Sequence, residues 1–394
     1  GLNESRECAE WRRAGVLWSA QGGAGLTRGG MGRSTQILVG VTTGALLLRL
    51  LRAALRWDEI ALAYAAYYQP WTDALHRLDF SAILGEFTGL HPPLYALVHA
   101  LLGLWGAPAA WLLFSVFCST LAVWVVGRSW GAGAACVLAV DPLQLAYAAE
   151  VNNYPLLVLG VALLLSRLRE ARRGRTRGLV LAGILCTWTH LLGGLVAGCC
   201  ALTLAHRDRR VAIKTLLWIL LGSAPVLVMA GRYALDGGTY GQAGLDLALI
   251  LGGLKTKVGW WGLLFGVALL AVRRQGAVAF VLVASALGIL GMVGLGIAAP
   301  HQQPYYLVLG PPMAVLISSL GRGLGPLLGG LGLITVLPAE LEALGDLRAN
   351  LERERAIDLA LAGVGAGDAL WLLSPALKPD DDKTAWVAPE CLRG

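Results

Sequence analysis

Apolar runs of 15–22 residues recur from position 36 onward, divided by short arginine-rich breaks. That is the length an α-helix needs to cross a hydrocarbon layer about 30 Å thick. Inside lipid the backbone must satisfy its own hydrogen bonds, so helices are expected and open sheet is not. Of the 394 residues, 56% are hydrophobic and only 14% charged, with a mean hydropathy of +0.64. Soluble domains carry about 25% charged residues. The 52 glycines fall often inside the apolar runs, as close helix packing in membranes favours. The fold expected is an all-α polytopic membrane protein of about 11–13 transmembrane helices.

The net charge of +7 does not indicate a nucleic-acid partner. The arginines sit in short breaks between apolar runs, as cytoplasmic loops of membrane proteins do. A nucleic-acid surface would gather them on one soluble face. The seven cysteines, Cys8, Cys118, Cys136, Cys186, Cys199, Cys200 and Cys391, have no metal-type spacing. Those in apolar runs read as small packing residues.

Residues 1–35 are polar and glycine-rich and lack the apolar core of a secretory signal. A disordered N-terminal extension is expected there, with Met31-Gly32-Arg33 reading as a natural start. Residues 36–55 form the first span. Arg49, Arg52 and Arg56 near its end either snorkel to headgroups or line a site for a phosphate-bearing lipid. Residues 57–90 form a first outer loop, with short interfacial helices at 60–68 and 72–84 and Tyr67, Tyr68, Trp71 and Phe80 at headgroup depth.

Apolar runs at 92–106, 108–127 and 130–147 follow. Residues 154–166 span again and end in 167–177, which holds six arginines and one glutamate. This is the strongest cytoplasmic marker in the chain. Glu150 then lies outside. With His91 also outside, an even number of crossings must separate them, so one of the three runs is a half-span or re-entrant piece. Which one stays open.

Residues 178–205 lie between that break and a second basic patch at 206–210. Twenty-eight residues at about 1.5 Å each cannot make two full spans and a turn. Two short helices meeting near Thr189-His190 fit instead, which puts His190 at a cavity or the outer face rather than in lipid. Residues 212–230 cross outward to a polar loop, 231–258. Later runs at 259–272, 277–299 and 324–337 flank Arg273-Arg274, an outer stretch at 301–306, and Arg322. The transmembrane domain thus covers 36–337. Residues 338–394 hold eleven acids against six bases and read as a small extracytoplasmic α/β appendage. It has an amphipathic helix with Leu341, Leu344, Leu347 and Leu351 on one stripe and a short strand at 369–373.

The polar chemistry is concentrated at Trp57-Asp58-Glu59 and His91-Pro92-Pro93-Leu94-Tyr95. As bare residues, Asp58-Glu59 read equally as a helix N-terminal charge pair or as a general base at the mouth of a membrane cavity. The two prolines suit a helix start and could fix His91 toward the loop. His190 and His301 read first as packed histidines, and Lys255 and Lys257 as solvated loop charge. None has metal-ligand spacing, so no metal or cofactor is expected.

The order of these elements resembles that of C-type-fold membrane glycosyltransferases, in the branch of bacterial relatives of protein O-mannosyltransferases and aminoarabinose transferases. An acidic pair follows the first span, and His-Pro-Pro-Leu-Tyr opens the second. Asp141-Pro142 followed by Glu150-Val151-Asn152-Asn153-Tyr154 is similar to the family's Pro…Glu-x-Arg-x-Tyr segment. Thr189-His190 is similar to its Thr-His-Tyr element. Pro304-Tyr305-Tyr306-Leu307 with Pro311-Pro312 is similar to its Arg-Tyr-Leu…Pro segment. The resemblance covers roughly 36–375.

It implies transfer of a sugar from a polyprenyl-phosphate carrier to a protein, lipid or glycan acceptor, on the outer side of a bacterial inner membrane. Asp58 would be the catalytic base, Glu59 its alternate and Glu86 a second loop acid. His91, Tyr95, Glu150, Asn152, Tyr154, His190, His301 and Tyr305 would contact substrate. Two family arginines are replaced here, by Asn152 and Tyr305, which weakens phosphate binding. Arg232, Lys255 and Lys257 would then stabilise the leaving phosphate. The rival expectations are a non-catalytic member of the same fold and a secondary transporter, which would need broken-helix sites at mid-membrane, usually in related repeats.

Overall fold

The computed structural model describes residues 109–148, 153–235, 266–270, 275–294 and 303–321, with isolated helical positions at Leu94, Val98, Leu101 and Leu327. The N-terminal extension, the first outer loop at 57–90, the loop at 236–258 and the appendage at 338–394 lie outside the described residues. So does the run 92–106, apart from those three helical positions.

Among the described residues every element is helical and no strand occurs. In chain order they are α1 (Ala109–Trp130), α2 (Ala132–Ala139), α3 (Pro142–Tyr147), α4 (Tyr154–Ala171), α5 (Arg177–Thr189) and α6 (Leu191–Leu202). A 3-10 turn (Thr203–His206) then leads to α7 (Arg209–Leu235). After α8 (Gly276–Gly294), a second 3-10 turn (Gln303–Leu309) leads to α9 (Gly310–Leu320).

Among the described residues three helices hold segments long and apolar enough to cross a membrane: Leu113–Trp130, Arg209–Val228 and Gly276–Gly294. Their outward faces are apolar. Leu217, Trp218 and Leu221 of α7 and Leu287 of α8 are all more than half exposed. In water such a face would be an exposed hydrophobic patch of unusual extent.

The direction of each helix follows from contacts at its ends. Arg169, in the last turn of α4, donates from Nη1 to the Ser129 carbonyl at 2.9 Å, and its guanidinium lies 3.8 Å from the Trp130 ring centroid. The C-terminal ends of α1 and α4 therefore meet, and the two helices run the same way. Between them α2 and α3 carry the chain back. Gly131, at φ 99°, makes the reversal out of α1, a backbone conformation that costs glycine little and other residues more.

The run 130–147 is thus not one helix. Val140 and Asp141 break it, and Asp141 caps the second piece: its Oδ1 accepts from the backbone N–H of Leu143 at 2.9 Å and of Gln144 at 3.3 Å. Pro142 occupies the first turn of α3, where a missing N–H costs nothing.

Helices α5 and α6 form the short hairpin expected between the two basic patches. They have 13 and 12 residues, or about 20 and 18 Å of rise. Small residues let them close: a Cβ on Gly193 would collide with the Cys186 carbonyl and lie 2.7 Å from its Sγ, and one on Gly183 would lie 3.3 Å from Ala197 Cβ. Five cysteines are free among the described residues. Cys118, Cys186, Cys199 and Cys200 are buried in the main core, as packing residues.

Helix α7 runs to Leu235, five residues beyond the expected end of its span at 230. Arg232 therefore sits on helical backbone and not in a polar loop. The sequence Gly-Arg-Tyr-Ala-Leu contains one weak helix former and no proline, so nothing local stops the helix. Pro225 lies inside α7 and cannot donate to the carbonyl four residues earlier. One turn away the Trp188 indole of α5 donates to the Gly222 carbonyl at 2.9 Å.

Candidate functional site

The apex of the α5–α6 hairpin is a single extended residue, His190, at φ −163° and ψ 143°. It ends one helix and starts the next. Its N–H donates to the Cys186 carbonyl at 3.1 Å, and its carbonyl accepts from Gly193 N–H at 2.8 Å. Its Nδ1 accepts from Leu192 N–H at 3.1 Å. The imidazole thus does the work that a serine or aspartate usually does at a helix N-terminus. A neutral ring held this way carries its proton on Nε2.

Three other segments bring aromatic rings to this apex. Tyr154 opens α4, and its ring centroid lies 5.6 Å from that of His190. Tyr305, in the second 3-10 turn, lies 6.2 Å from His190 at an interplanar angle of 64°. Tyr147, at the end of α3, meets Tyr154 edge-on at 5.8 Å. All three separations fall in the range favoured by aromatic pairs. The result is a row of four rings, Tyr147–Tyr154–His190–Tyr305, drawn from segments more than 150 residues apart in the chain.

Buried polar groups lie in the segments that carry the row. Asn153, 1% exposed, donates from Nδ2 to the Thr189 carbonyl at 3.2 Å. This bond ties the start of α4 to the end of α5. Asp141 is buried against α9: a Cβ on Gly310 would lie 2.8 Å from its Oδ2. Gln144 is also buried, and its Nε2 has no hydrogen-bond partner among the described residues.

Of the residues the sequence singled out, Tyr154, His190 and Tyr305 come together. Arg232 is described by its backbone alone. Asp58, Glu59, Glu86, His91, Tyr95, Glu150, Asn152, Lys255, Lys257 and His301 lie outside the described residues. Sequence reasoning passed over Tyr147 and Gln144, and noted Asn153 only within a motif. Asp141 was noted within a motif but not as a site residue. Its Asp-Pro pair is a helix-start signature, and a helix start in the middle of an apolar run marks a break.

The row lies at the opposite end of the helices from the arginine-rich turns. Tyr154 begins α4 and Arg172 follows its end, about 27 Å away for 18 residues. A row of aromatic faces with hydrogen-bonding tips suits a polyhydroxylated ring, which stacks its C–H face and bonds its hydroxyls. Among the described residues no three His, Cys, Asp or Glu side chains gather as metal ligands. The chain matches no protein-family model, no curated protein and no solved structure.

Proposed function

We propose that the chain is a polytopic membrane glycosyltransferase of the C-type fold. It would take a sugar from a polyprenyl-phosphate carrier on the outer side of a bacterial inner membrane. One observation carries the reading: Tyr154, His190 and Tyr305, from three separate motifs of the resemblance, converge on one ring row. That row lies at the far end of the bundle from the arginine turns, the end the positive-inside rule assigns to the outer side.

In this reading Asp58 removes a proton from the acceptor. The acceptor oxygen or nitrogen attacks the anomeric carbon, and the bond from that carbon to the carrier phosphate oxygen breaks. A single displacement inverts the configuration. Arg232, Lys255 and Lys257 stabilise the departing polyprenyl phosphate. Tyr154, His190 and Tyr305 hold the sugar or the carrier next to the reacting carbon.

The test uses the full chain in lipid nanodiscs with a labelled polyprenyl-phosphate sugar. Turnover is expected from the wild type and none from Asp58→Asn at equal expression. Undiminished turnover by Asp58→Asn would remove Asp58 from the mechanism. No turnover with any polyprenyl-phosphate sugar would leave the fold without this activity.

One observation favours a second reading, secondary transport. Asp141 is a buried carboxylate at the break between two short helices, a place where transporters bind coupling ions. Proton- or sodium-coupled uptake into vesicles, abolished by Asp141→Asn, would favour transport over transfer.

A further inference from the structure

The arginine-rich turns at 167–177 and 206–210 meet at one end of the bundle. Arg207 donates from Nη1 to the Arg172 carbonyl at 2.8 Å, so the turn after α4 and the turn before α7 are joined. A Cβ on Gly178, in the first turn of α5, would lie 3.1 Å from Arg167 Cδ. Together the two turns carry nine arginines and two carboxylates, Glu170 and Asp208.

Both carboxylates are already used. Glu170 pairs with Arg167 at 3.3 Å. Asp208 Oδ1 accepts from the backbone N–H of Arg210 at 2.8 Å and of Val211 at 3.2 Å, capping α7. Among the described residues no carboxylate forms an ion pair with Arg172 or Arg207. Arg172 is half-buried, and its Nε is enclosed without a hydrogen-bond partner among those residues. Burial and the neighbouring Arg207 charge both lower its affinity for its proton. Like charges gathered in adjoining turns are stabilised by an anion bound among them.

We propose that this end of the bundle, centred on Arg172 and Arg207, binds the phosphate of an anionic membrane lipid. The inference rests on the membrane placement proposed above, not on the sugar-transfer reaction. What favours a lipid over a soluble anion is the apolar surface of the two helices that leave these turns. Leu181 and Leu185 of α5 and Leu217 and Leu221 of α7 are exposed by half or more, in line with the basic turns that start those helices. A lipid satisfies both features at once, with its headgroup phosphate on the guanidinium pair and its chains on the leucines. Arg128 and Arg169 stand over Trp124 and Trp130 at the same end, the pairing of cation and aromatic ring found at membrane interfaces. A nucleic acid or free phosphate has no apolar part to lie along the leucines.

The experiment is native mass spectrometry of the full chain, extracted from nanodiscs of mixed phosphatidylglycerol and phosphatidylcholine. The wild type is expected to keep phosphatidylglycerol well above its share of the nanodisc. Arg172→Gln/Arg207→Gln should lose retained anionic lipid by about five-fold per arginine removed. Arg172→Lys/Arg207→Lys should keep most of it. Equal retention of both lipids by the wild type overturns the proposal, and so does undiminished retention by a glutamine double variant of normal helix content. If that variant loses helix content, the wild-type preference alone decides. Displacement of the lipid by millimolar inorganic phosphate would assign the pair to a free anion instead. Failure of the chain to insert into nanodiscs sinks the membrane placement itself. Insertion without anionic preference sinks only this inference.

Discussion

Asn153 and Thr189 are 36 residues apart, yet the Asn153 amide donates to the Thr189 carbonyl at 3.2 Å. That carbonyl belongs to the last turn of α5, where helices leave acceptors unpaired. The bond locks the ring row to its frame, because Tyr154 and His190 are the next residues on each side.

Asn153→Ala removes this donor and leaves a buried carbonyl unpaired. A loss of about 1–3 kcal/mol is expected, read as a lower thermal unfolding midpoint in detergent. Asn153→Asp should cost more, since it sets a carboxylate oxygen against the carbonyl. An unchanged midpoint in both variants would mean that the α4–α5 junction does not depend on this bond.

Gly193 and Gly198 lie on the same helix but should respond oppositely to alanine. A Cβ at 193 meets the Cys186 backbone carbonyl, which cannot swing aside, whereas a Cβ at 198 finds only Leu216 Cδ1 at 4.0 Å. Gly193→Ala is expected to cost about 1–3 kcal/mol through overpacking. Gly198→Ala should be neutral or stabilise by up to about 1 kcal/mol, because alanine is the better helix former. Unfolding midpoints of the two single variants decide it.

Asp141 is a cap and a buried charge at once, and two substitutions separate these roles. Asp141→Ala deletes the acceptor for Leu143 and Gln144 and should destabilise by about 1 kcal/mol. Asp141→Asn keeps an oxygen there and removes the charge, so it should be neutral or stabilising. Equal damage from both would show that the negative charge itself is required.

Trp188→Phe keeps the ring but loses the donor to the Gly222 carbonyl. About 1 kcal/mol is expected, with the change in hydrogen exchange concentrated near the proline break of α7. Uniform exchange across α7 would indicate that the indole does not stabilise that break.

His190→Asn separates folding from the proposed reaction. Asparagine is a good residue at a helix N-terminus, so the hairpin should survive with a similar midpoint. Turnover of a polyprenyl-phosphate sugar should still fall, because the imidazole face is gone. Unchanged turnover would exclude the His190 ring from the site.

The α5–α6 hairpin was legible because length and charge acted together. Basic patches at both ends put them on one side, and 28 residues could only return near Thr189-His190. The break in 130–147 was harder. Asp141-Pro142 announces a helix start, but three neighbouring apolar runs fitted the parity argument equally well. Only the Arg169–Ser129 contact establishes that α1 and α4 are parallel and that 130–147 returns between them. The apolar span within α7 ends at Val228, close to the expected 230, and the helix itself continues through Arg232 and Tyr233 because polarity alone does not end a helix. The ring row combines residues from four segments, and no local pattern reports which distant side chains will stack. Asp58, Lys255 and Lys257 lie outside the described residues.

The brevity of α5 has a physical consequence for anything that must reach His190. Thirteen residues rise about 20 Å, whereas a bilayer's oily layer is about 30 Å deep. In the membrane placement proposed above, with the arginine turn at one face, the imidazole would rest roughly 10 Å beneath the other. A water-borne solute would have to descend into that well unaided. A cargo dangling from a long flexible isoprenoid tail already travels at such a level and would approach sideways.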